Sequence, residues 1–484
     1  MTVAKTDDSG ERGPHSRHPE KRSGPRELAR RVLQRVRRDE AYATLALAGE
    51  LERARGLSAA DRALTTQLVY GVLRRRGQLD ELLAARLSRP LSQVDPEVLD
   101  VLRLAAYQLL ALDRVPAYAA VDEAVSAVRG LRGQRVAGFV NAVLRRIERE
   151  ADGRDLDALL AALPAPSSAA ARIARVAGLP LELARAWSRQ LGEVEAQALG
   201  QALLEPARLT LRTNTLRCSR EELQALLEEE GASVRLARYA PGGLYVADAG
   251  NTSRRWTPST SAAYHDGLWT MQDEAAQLVS LLLAPRSGQR VLDACCGLGG
   301  KTTHLAELCG PSGGPPTLFA VDISPRKLEL LEEHCLRLGL RCEARRGDLT
   351  RGLAELPPAS FDAVLLDAPC SGFGVLRRHP ELKWRPGAVD PKRRAALVEL
   401  QRELLTAARQ LLAPGGTLVY AVCTITPEEG PKQLRWLLET FPELSLAPPV
   451  AALGALAPRG ELCLWPHRHG TDGFYAARVT LAKE

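Results

Sequence analysis

Nine cysteines in 484 residues are too few to staple a secreted scaffold, and none pair as Cys-x-x-Cys, which disfavours zinc ligation at its usual spacing. Reduced thiols and no bound metal are expected. No segment approaches the run of about 18 apolar residues that a membrane span requires. Residues 1–24 (MTVAKTDDSGERGPHSRHPEKRSG) lack the apolar core of a signal peptide. A cytoplasmic chain with no membrane partner, working as a monomer, is expected. Against these absences stand 45% hydrophobic and 25% charged residues, ordinary globular usage, on a length that suits about three domains. A single small module, a collagen-like fibre and a mostly disordered chain are excluded. The formal charge of +7 hints at a polyanionic partner. Eleven Lys/Arg against five Asp/Glu in residues 1–38 concentrate +6 of it at one end.

Residues 1–24 are rich in Ser, Gly, Pro, Arg and His and bury too little apolar surface to offset ordering entropy, so a disordered basic tail is expected. From residue 25 to about 150 apolar residues recur at helical spacing (Leu28, Val32, Leu33, Val36; Leu64, Leu68, Val72, Leu73), with breaks near Gly56, Pro90, Pro116 and Gly130 to Gly133. This predicts an all-helical domain. Residues 151–270 begin with an Ala/Pro/Ser linker around 163–170. Helix from Pro180 to about Leu204 follows, then a small α+β module built on strand-like 207–216 and 242–250 around the capped helix SREELQALLEEEG. From residue 271 to 484, apolar strands (RVLDACCG, TLFAVDIS, RCEARRGD, FDAVLLDAP, GGTLVYAVCTI) alternate with amphipathic helices. That pattern predicts a parallel, doubly wound sheet with its site at the strands' carboxyl ends.

The first of these strands runs into Asp293-Ala294-Cys295-Cys296-Gly297-Leu298-Gly299-Gly300-Lys301-Thr302. A strand, a glycine turn and a helix start present free amides to a ligand. A phosphate-binding P-loop needs glycine at 295, which is Cys, and a dinucleotide fingerprint needs Gly or Ala at 302, which is Thr. An S-adenosylmethionine loop fits better. Asp322, closing the next strand, sits where a carboxylate would accept from ribose hydroxyls. Asp348, after the third strand, is placed to accept from the adenine amino group. A loop cap is the ordinary role of any one such aspartate; three signals in the correct order reverse the balance.

Two further strands end in Asp367-Ala368-Pro369-Cys370-Ser371-Gly372 and Tyr420-Ala421-Val422-Cys423-Thr424, so both thiols are expected in one cleft. The other seven cysteines (218, 295, 296, 309, 335, 342, 463) read as small hydrophobes. The chemistry that needs a thiol beside S-adenosylmethionine is methylation at carbon 5 of a pyrimidine. That carbon becomes nucleophilic only after a thiolate adds to carbon 6. A base must then remove the proton from carbon 5, and a carboxylate such as Asp367 would stabilise the adduct. Spacing alone leaves open which cysteine attacks. A Pro-Cys after strand four resembles DNA cytosine methyltransferases, whereas cysteines at both strand ends resemble RNA 5-methylcytosine methyltransferases, in which the later one attacks.

The runs DACCGLGGKTTHLAE (293–307), DAPCSGFGVLRRHPELKW (367–384), TLVYAVCTITPEEG (417–430) and DGFYA (472–476) closely resemble the bacterial 16S ribosomal RNA cytosine-5 methyltransferase B (RsmB/Sun/Fmu) family. Independently, DRALTTQLVYGVLRRRGQLD (61–80), LRLAAYQLLALDRVPAYAAVDEAV (102–125) and GFVNAVLRR (138–146) resemble its helical NusB-like domain. The resemblance implies an all-α NusB-like domain, a small α+β middle module and a C-terminal α/β Rossmann-like methyltransferase domain. It implies Cys423 as nucleophile, Cys370 as the residue of release and Asp367 as the cytosine contact. It further implies Cys295, Cys296, Gly297, Leu298, Gly299, Gly300, Lys301, Asp322, Asp348 and Asp367 as cofactor-lining, with 16S ribosomal RNA or a small-subunit precursor as partner. Departures are Cys296, Gly297 and Leu298 against the family's usual Ala-Ala-Pro-Gly-Gly-Lys loop, and Val422 and Thr424 against its usual Thr-Cys-Ser.

Residues 367–402 hold eight Lys/Arg against four Asp/Glu. Arg377, Arg378 and Lys383 are the expected RNA contacts, with Trp384 nearby for stacking. For Lys392, Arg393 and Arg394 a solvated basic helix is the alternative. Three other functions compete with this one. A NusB-like RNA-binding module with a decayed enzyme domain sits poorly with intact Asp367, Cys370 and Cys423. A DNA methyltransferase would need a long target-recognition insertion, which is absent. Action on tRNA or another RNA stays open.

Overall fold

The computed structural model describes residues 24–54, 56–247, 256–310 and 317–483, so the expected tail lies outside the described residues except for Gly24. Six helices open the chain: α1 (Pro25–Arg38), α2 (Ala43–Arg53), α3 (Ala59–Ala84), α4 (Pro96–Ala111), α5 (Ala117–Arg132) and α6 (Gln134–Ala151). Pro occupies the first turn of α1 and α4, where its missing N–H costs nothing, and Asp95 caps α4 by accepting from the Glu97 N–H at 2.9 Å. The i, i+3, i+4 pattern read from the sequence becomes one buried core in which Val32, Leu68, Leu79, Leu102 and Leu144 meet. A seventh helix, α7 (Leu156–Ala161), adds Leu156, Leu159 and Leu160 to that core, so the helical body extends beyond residue 150.

Three helices follow, α8 (Ala169–Ala177), α9 (Leu181–Leu191) and α10 (Glu193–Ala202). The expected linker ends early, because Ser168 caps α8 by accepting from the Ala171 N–H at 3.2 Å. These helices close around Trp187, and the same core includes Phe373, Leu376, Leu382 and Ile425 of the C-terminal domain. The middle module is β1 (Leu209–Thr213), α11 (Arg220–Glu229), β2 (Val234–Leu236), β3 (Gly243–Val246), α12 (Ala262–His265) and β4 (Trp269–Met271), an antiparallel sheet in the order β2-β3-β1-β4. The two strands the sequence does not reveal, β2 and β4, are three residues each, too short to display a period of two.

The C-terminal domain runs α13 (Glu274–Leu283), β5 (Val291–Asp293), α14 (Gly300–Cys309), β6 (Leu318–Asp322), α15 (Pro325–Leu338), β7 (Glu343–Arg346), β8 (Phe361–Asp367), α16 (Pro391–Leu411), β9 (Leu412–Val422), α17 (Pro431–Thr440), β10 (Leu444–Leu446), β11 (Glu461–Leu464), α18 (Pro466–His469) and β12 (Phe474–Leu481). Sheet order is β10-β12-β9-β8-β5-β6-β7, with β11 also on β12. Strands β5 to β9 are parallel, with the order reversing about β5, and this puts a crevice outside the carboxyl ends of β5 and β8. The five strands read from the sequence are parallel as expected, and three further strands extend the sheet: β12 runs antiparallel to β9, pairing Tyr475 with Val422, and β10 and β11 pair antiparallel to β12. No helix among the described residues is long and apolar enough to cross a membrane.

Candidate active site

The glycine loop leaves β5 and enters α14 at the crevice. Gly297 and Gly299 adopt φ of 57° and 82°, and a Cβ at Gly299 would stand 2.3 Å from Leu331, so only glycine permits that turn. The Gly297 N–H donates to Asp322 Oδ2 at 3.1 Å, and Asp322 also accepts from the Ser324 N–H at 2.9 Å and Lys327 Nζ at 3.2 Å. Asp348 turns its carboxylate to the Thr350 N–H and hydroxyl at 3.1 and 2.7 Å.

A cavity of about 1000 Å³ opens over this loop. Cys295, Gly297, Leu298 and Lys301 line it, as do Asp322, Asp348 and Asp367. The rest of the loop turns away from this wall: Cys296 packs with Leu328, Leu331 and Cys335 behind the loop, Gly299 meets Leu331, and the Gly300 carbonyl faces Arg212. Cys295, expected to be a small hydrophobe, faces the cavity. Leu298 and Ile323 present exposed apolar side chains in the same wall as the two carboxylates. Apolar faces for a purine and acceptors for ribose hydroxyls are what S-adenosylmethionine needs, and the residues fit it.

Arg212 of β1 supports this loop from behind. Its guanidinium is 1% exposed and donates to Glu307 at 2.7 and 3.1 Å, to Gln272 at 2.6 Å, to Thr303 Oγ1 at 3.0 Å and to the Gly300 carbonyl at 2.8 Å. The middle module thereby fixes the first turn of α14.

Both cysteines named from the sequence reach the cavity, with their sulfurs 3.3 Å apart. Their loops are tied together. The Gly374 N–H donates to the Cys423 carbonyl at 3.0 Å, and the Ser371 and Thr424 hydroxyls are 2.7 Å apart. Fully buried Glu429 accepts from the Ser371 N–H at 2.8 Å, from Gln401 at 3.1 Å and from Thr426 at 2.7 Å. Glu429 was missed in the sequence: it lies in TITPEEG, and its only signal there is an acidic residue just beyond the Cys423 strand. The hydrogen bond to Cys423, together with burial, pushes the Cys370 thiol well up.

Lys301, expected only in the cofactor loop, donates to Asp367 at 2.7 Å and lies 5.1 Å from the Phe474 ring centre. Burial would lower its pKa, but Asp367 more than offsets this and the ammonium is held above its ordinary value, with Cys423 adding to the effect. Asp293, at the end of β5, accepts from Thr302 Oγ1 at 2.7 Å, and burial pushes its carboxyl up to about 7.

The expected RNA contacts are largely corrected. Lys383 is buried and donates to the Arg74 carbonyl at 2.7 Å, and burial beside Arg74 and Arg76 lowers its pKa to about 7. Arg377 is buried against Asp472 and the Gly470 carbonyl. Arg378 lines the cavity but is committed to Asp472 at 2.6 Å and Asp273 at 2.7 Å. Trp384 donates to the Leu73 carbonyl at 3.0 Å under the Arg76 guanidinium. This segment serves as the dock between the catalytic and helical domains, a role that a count of charges cannot reveal because each partner is distant in sequence. Docking brings Tyr42 of the helical domain to the cavity rim. Among the described residues, no cluster of three or more His, Cys, Asp or Glu could hold a metal ion.

The family model for 16S rRNA methyltransferase RsmB/F matches residues 280–480, that for the NusB family residues 23–149, and that for the RsmF/B-like ferredoxin-like domain residues 179–253. A probable ribosomal RNA small subunit methyltransferase B of Bacillus subtilis is 32% identical over 94% of this chain and 98% of its own. A putative methyltransferase of Mycobacterium tuberculosis is 37% identical over 96% and 99%. The solved structure of a protein named PH0851 superposes with a TM-score of 0.75 at 26% identity, covering 94% of this chain and 98% of that one. With fold, loop and paired cysteines in place, the chain belongs to the RsmB/F family of 16S rRNA methyltransferases, whose cofactor is S-adenosylmethionine.

Proposed function

We propose that this protein methylates carbon 5 of a cytosine in 16S ribosomal RNA, in the cytoplasm, through a transient bond between Cys423 and carbon 6 of the base. The observation that carries this reading is the 3.3 Å sulfur pair of Cys370 and Cys423, set in one cavity with the Lys301–Asp367 pair and the glycine loop. One chain supplies every one of these groups, so the reading requires no second copy. The names of the relatives support ribosomal RNA as the substrate class.

Bound S-adenosylmethionine supplies an electrophilic methyl group, held by Asp322, Asp348 and the loop at Cys295, Gly297 and Leu298. The Cys423 thiolate adds to carbon 6, and the displaced electron pair moves onto ring nitrogen 3, where the Lys301–Asp367 pair holds the neutralising proton. Carbon 5, now enamine-like, takes the methyl group. Cys370, entering this step as its thiolate, takes the proton from carbon 5 and becomes the thiol. The C–H electron pair restores the double bond, the Cys423–carbon 6 bond breaks, and the Cys423 thiolate is regenerated.

Small-subunit RNA bearing tritium at carbon 5 of cytosine tests the site of transfer. One tritium released per methyl group incorporated is expected. Methyl incorporation without tritium release would overturn carbon 5 as the target. RNA binding without any transfer would favour a binding module, and transfer to tRNA alone would move the substrate.

A further inference from the structure

A second cavity, about 230 Å³, adjoins the first and shares Cys370, Ser371, Leu382 and Arg385 with it. Its outer wall carries Arg393 and Arg394 from the first turn of α16. These guanidiniums are less tightly paired than Arg378 nearby. Arg378 makes ion pairs at 2.6 and 2.7 Å, whereas Arg393 faces Glu40 at 3.5 Å and Arg394 faces Glu428 at 4.0 Å. Pairs that long and that exposed contribute little and are readily exchanged for a stronger anion. Arg393 also donates to the Pro386 carbonyl. On the rim between the two cavities, the Tyr42 ring is 42% exposed, carries the Arg385 guanidinium 4.4 Å from its centre and meets His379 edge-on at 5.4 Å. An exposed ring held in place by a cation, next to weakly paired guanidiniums and opening onto a reactive cysteine, is a surface for a nucleotide strand.

We propose that this seam between the helical and catalytic domains holds the RNA strand that flanks the target cytosine: Tyr42, backed by Arg385, stacks an adjacent base, and Arg393 and Arg394 hold a backbone phosphate beside Cys370. The proposal rests on the reading of RNA as substrate, and it moves recognition from Arg377 and Lys383, which are buried, to residues that two domains must dock to assemble. It gives the helical domain a direct part in presenting the base, since Tyr42 enters the cavity from the loop before α2. A base extruded from its stack leaves its neighbours unstacked, and an aromatic side chain replaces part of that lost contact.

The test is filter binding of the full-length protein to an unmodified transcript of small-subunit ribosomal RNA across a salt series, with methyl transfer and S-adenosylmethionine binding measured in parallel. Replacing Arg393 and Arg394 together with alanine is expected to reduce the slope of log Kd against log salt by about 0.7, the value for one phosphate of a single strand. The KM for RNA rises while cofactor affinity is unchanged. The lysine pair, Arg393→Lys with Arg394→Lys, keeps the slope. Tyr42→Ala is expected to weaken binding by about 5-fold to 100-fold at a constant salt slope, and Tyr42→Phe to restore it. Wild-type slope and KM in the double alanine variant, with wild-type protein binding and methylating the transcript, would overturn the phosphate site. If the wild-type protein neither binds nor methylates the transcript, the RNA reading falls and the seam proposal with it.

Discussion

Replacing Arg212 with methionine removes five hydrogen bonds from a side chain that solvent does not reach and leaves Glu307 as a buried carboxylate with no cation. Glu307 is itself 5% exposed, and burial already holds its pKa above the ordinary value despite Arg212. Breaking a buried pair of this kind costs about 3–5 kcal/mol, most of it the stranded charge rather than the lost contact. Denaturant unfolding at pH 8 is therefore expected to show a loss of that order. The loss shrinks as pH falls toward 5: in the variant the folded chain binds a proton on Glu307 more tightly than the unfolded chain does, so lowering the pH favours the folded state. Adding Glu307→Met removes the stranded charge and is expected to recover most of the stability. Cofactor affinity, in contrast, stays reduced in both variants, because the Gly300 carbonyl has lost its donor and the first turn of α14 its support. A double variant as unstable as Arg212→Met alone, or a loss independent of pH, would refute charge burial as the cause.

Two further outcomes follow from the same site. Lys301→Met is expected to slow methyl transfer by about a hundred-fold while Lys301→Arg retains more activity, because a positive group at Asp367 is what the adduct requires; equal rates in both variants at saturating cofactor would contradict this. Asp293, with its carboxyl pushed up to about 7, holds a proton in the folded chain that the unfolded chain releases near pH 4. Stability therefore falls as pH rises from about 4 to 7, and Asp293→Asn is expected to remove that slope and to gain at most about 4 kcal/mol at pH 8. Thermal unfolding across pH 5 to 8 checks it, and a variant as pH-sensitive as the wild type would count against it.

The positions that were legible in the sequence are those where local pattern and chemistry coincide. Periodicity exposes α1 to α6, and the glycine loop, Asp322, Cys370 and Cys423 stand at strand ends, where a doubly wound sheet converges. What stayed hidden depends on partners far along the chain. Lys383 and Arg74 are 309 residues apart, and Trp384 and Leu73 are 311 apart, so a basic run that reads as a polyanion surface is a domain dock. Cys296 stands beside Cys295, yet Cys295 lines the cavity while Cys296 packs behind the loop, a difference that adjacent identical residues cannot announce. β12 pairs antiparallel because the chain returns through β11 and α18, which no pattern within FYAARVTL encodes.

In the proposed mechanism two sulfurs 3.3 Å apart divide attack from release. Incubating each single variant with S-adenosylmethionine and unmodified small-subunit RNA, then resolving the products on a denaturing gel, tests it directly. Cys370→Ala is predicted to accumulate a covalent protein–RNA adduct, because carbon 5 keeps its proton and Cys423 cannot leave, and Cys423→Ala to form none. An adduct in Cys423→Ala and none in Cys370→Ala would contradict the account.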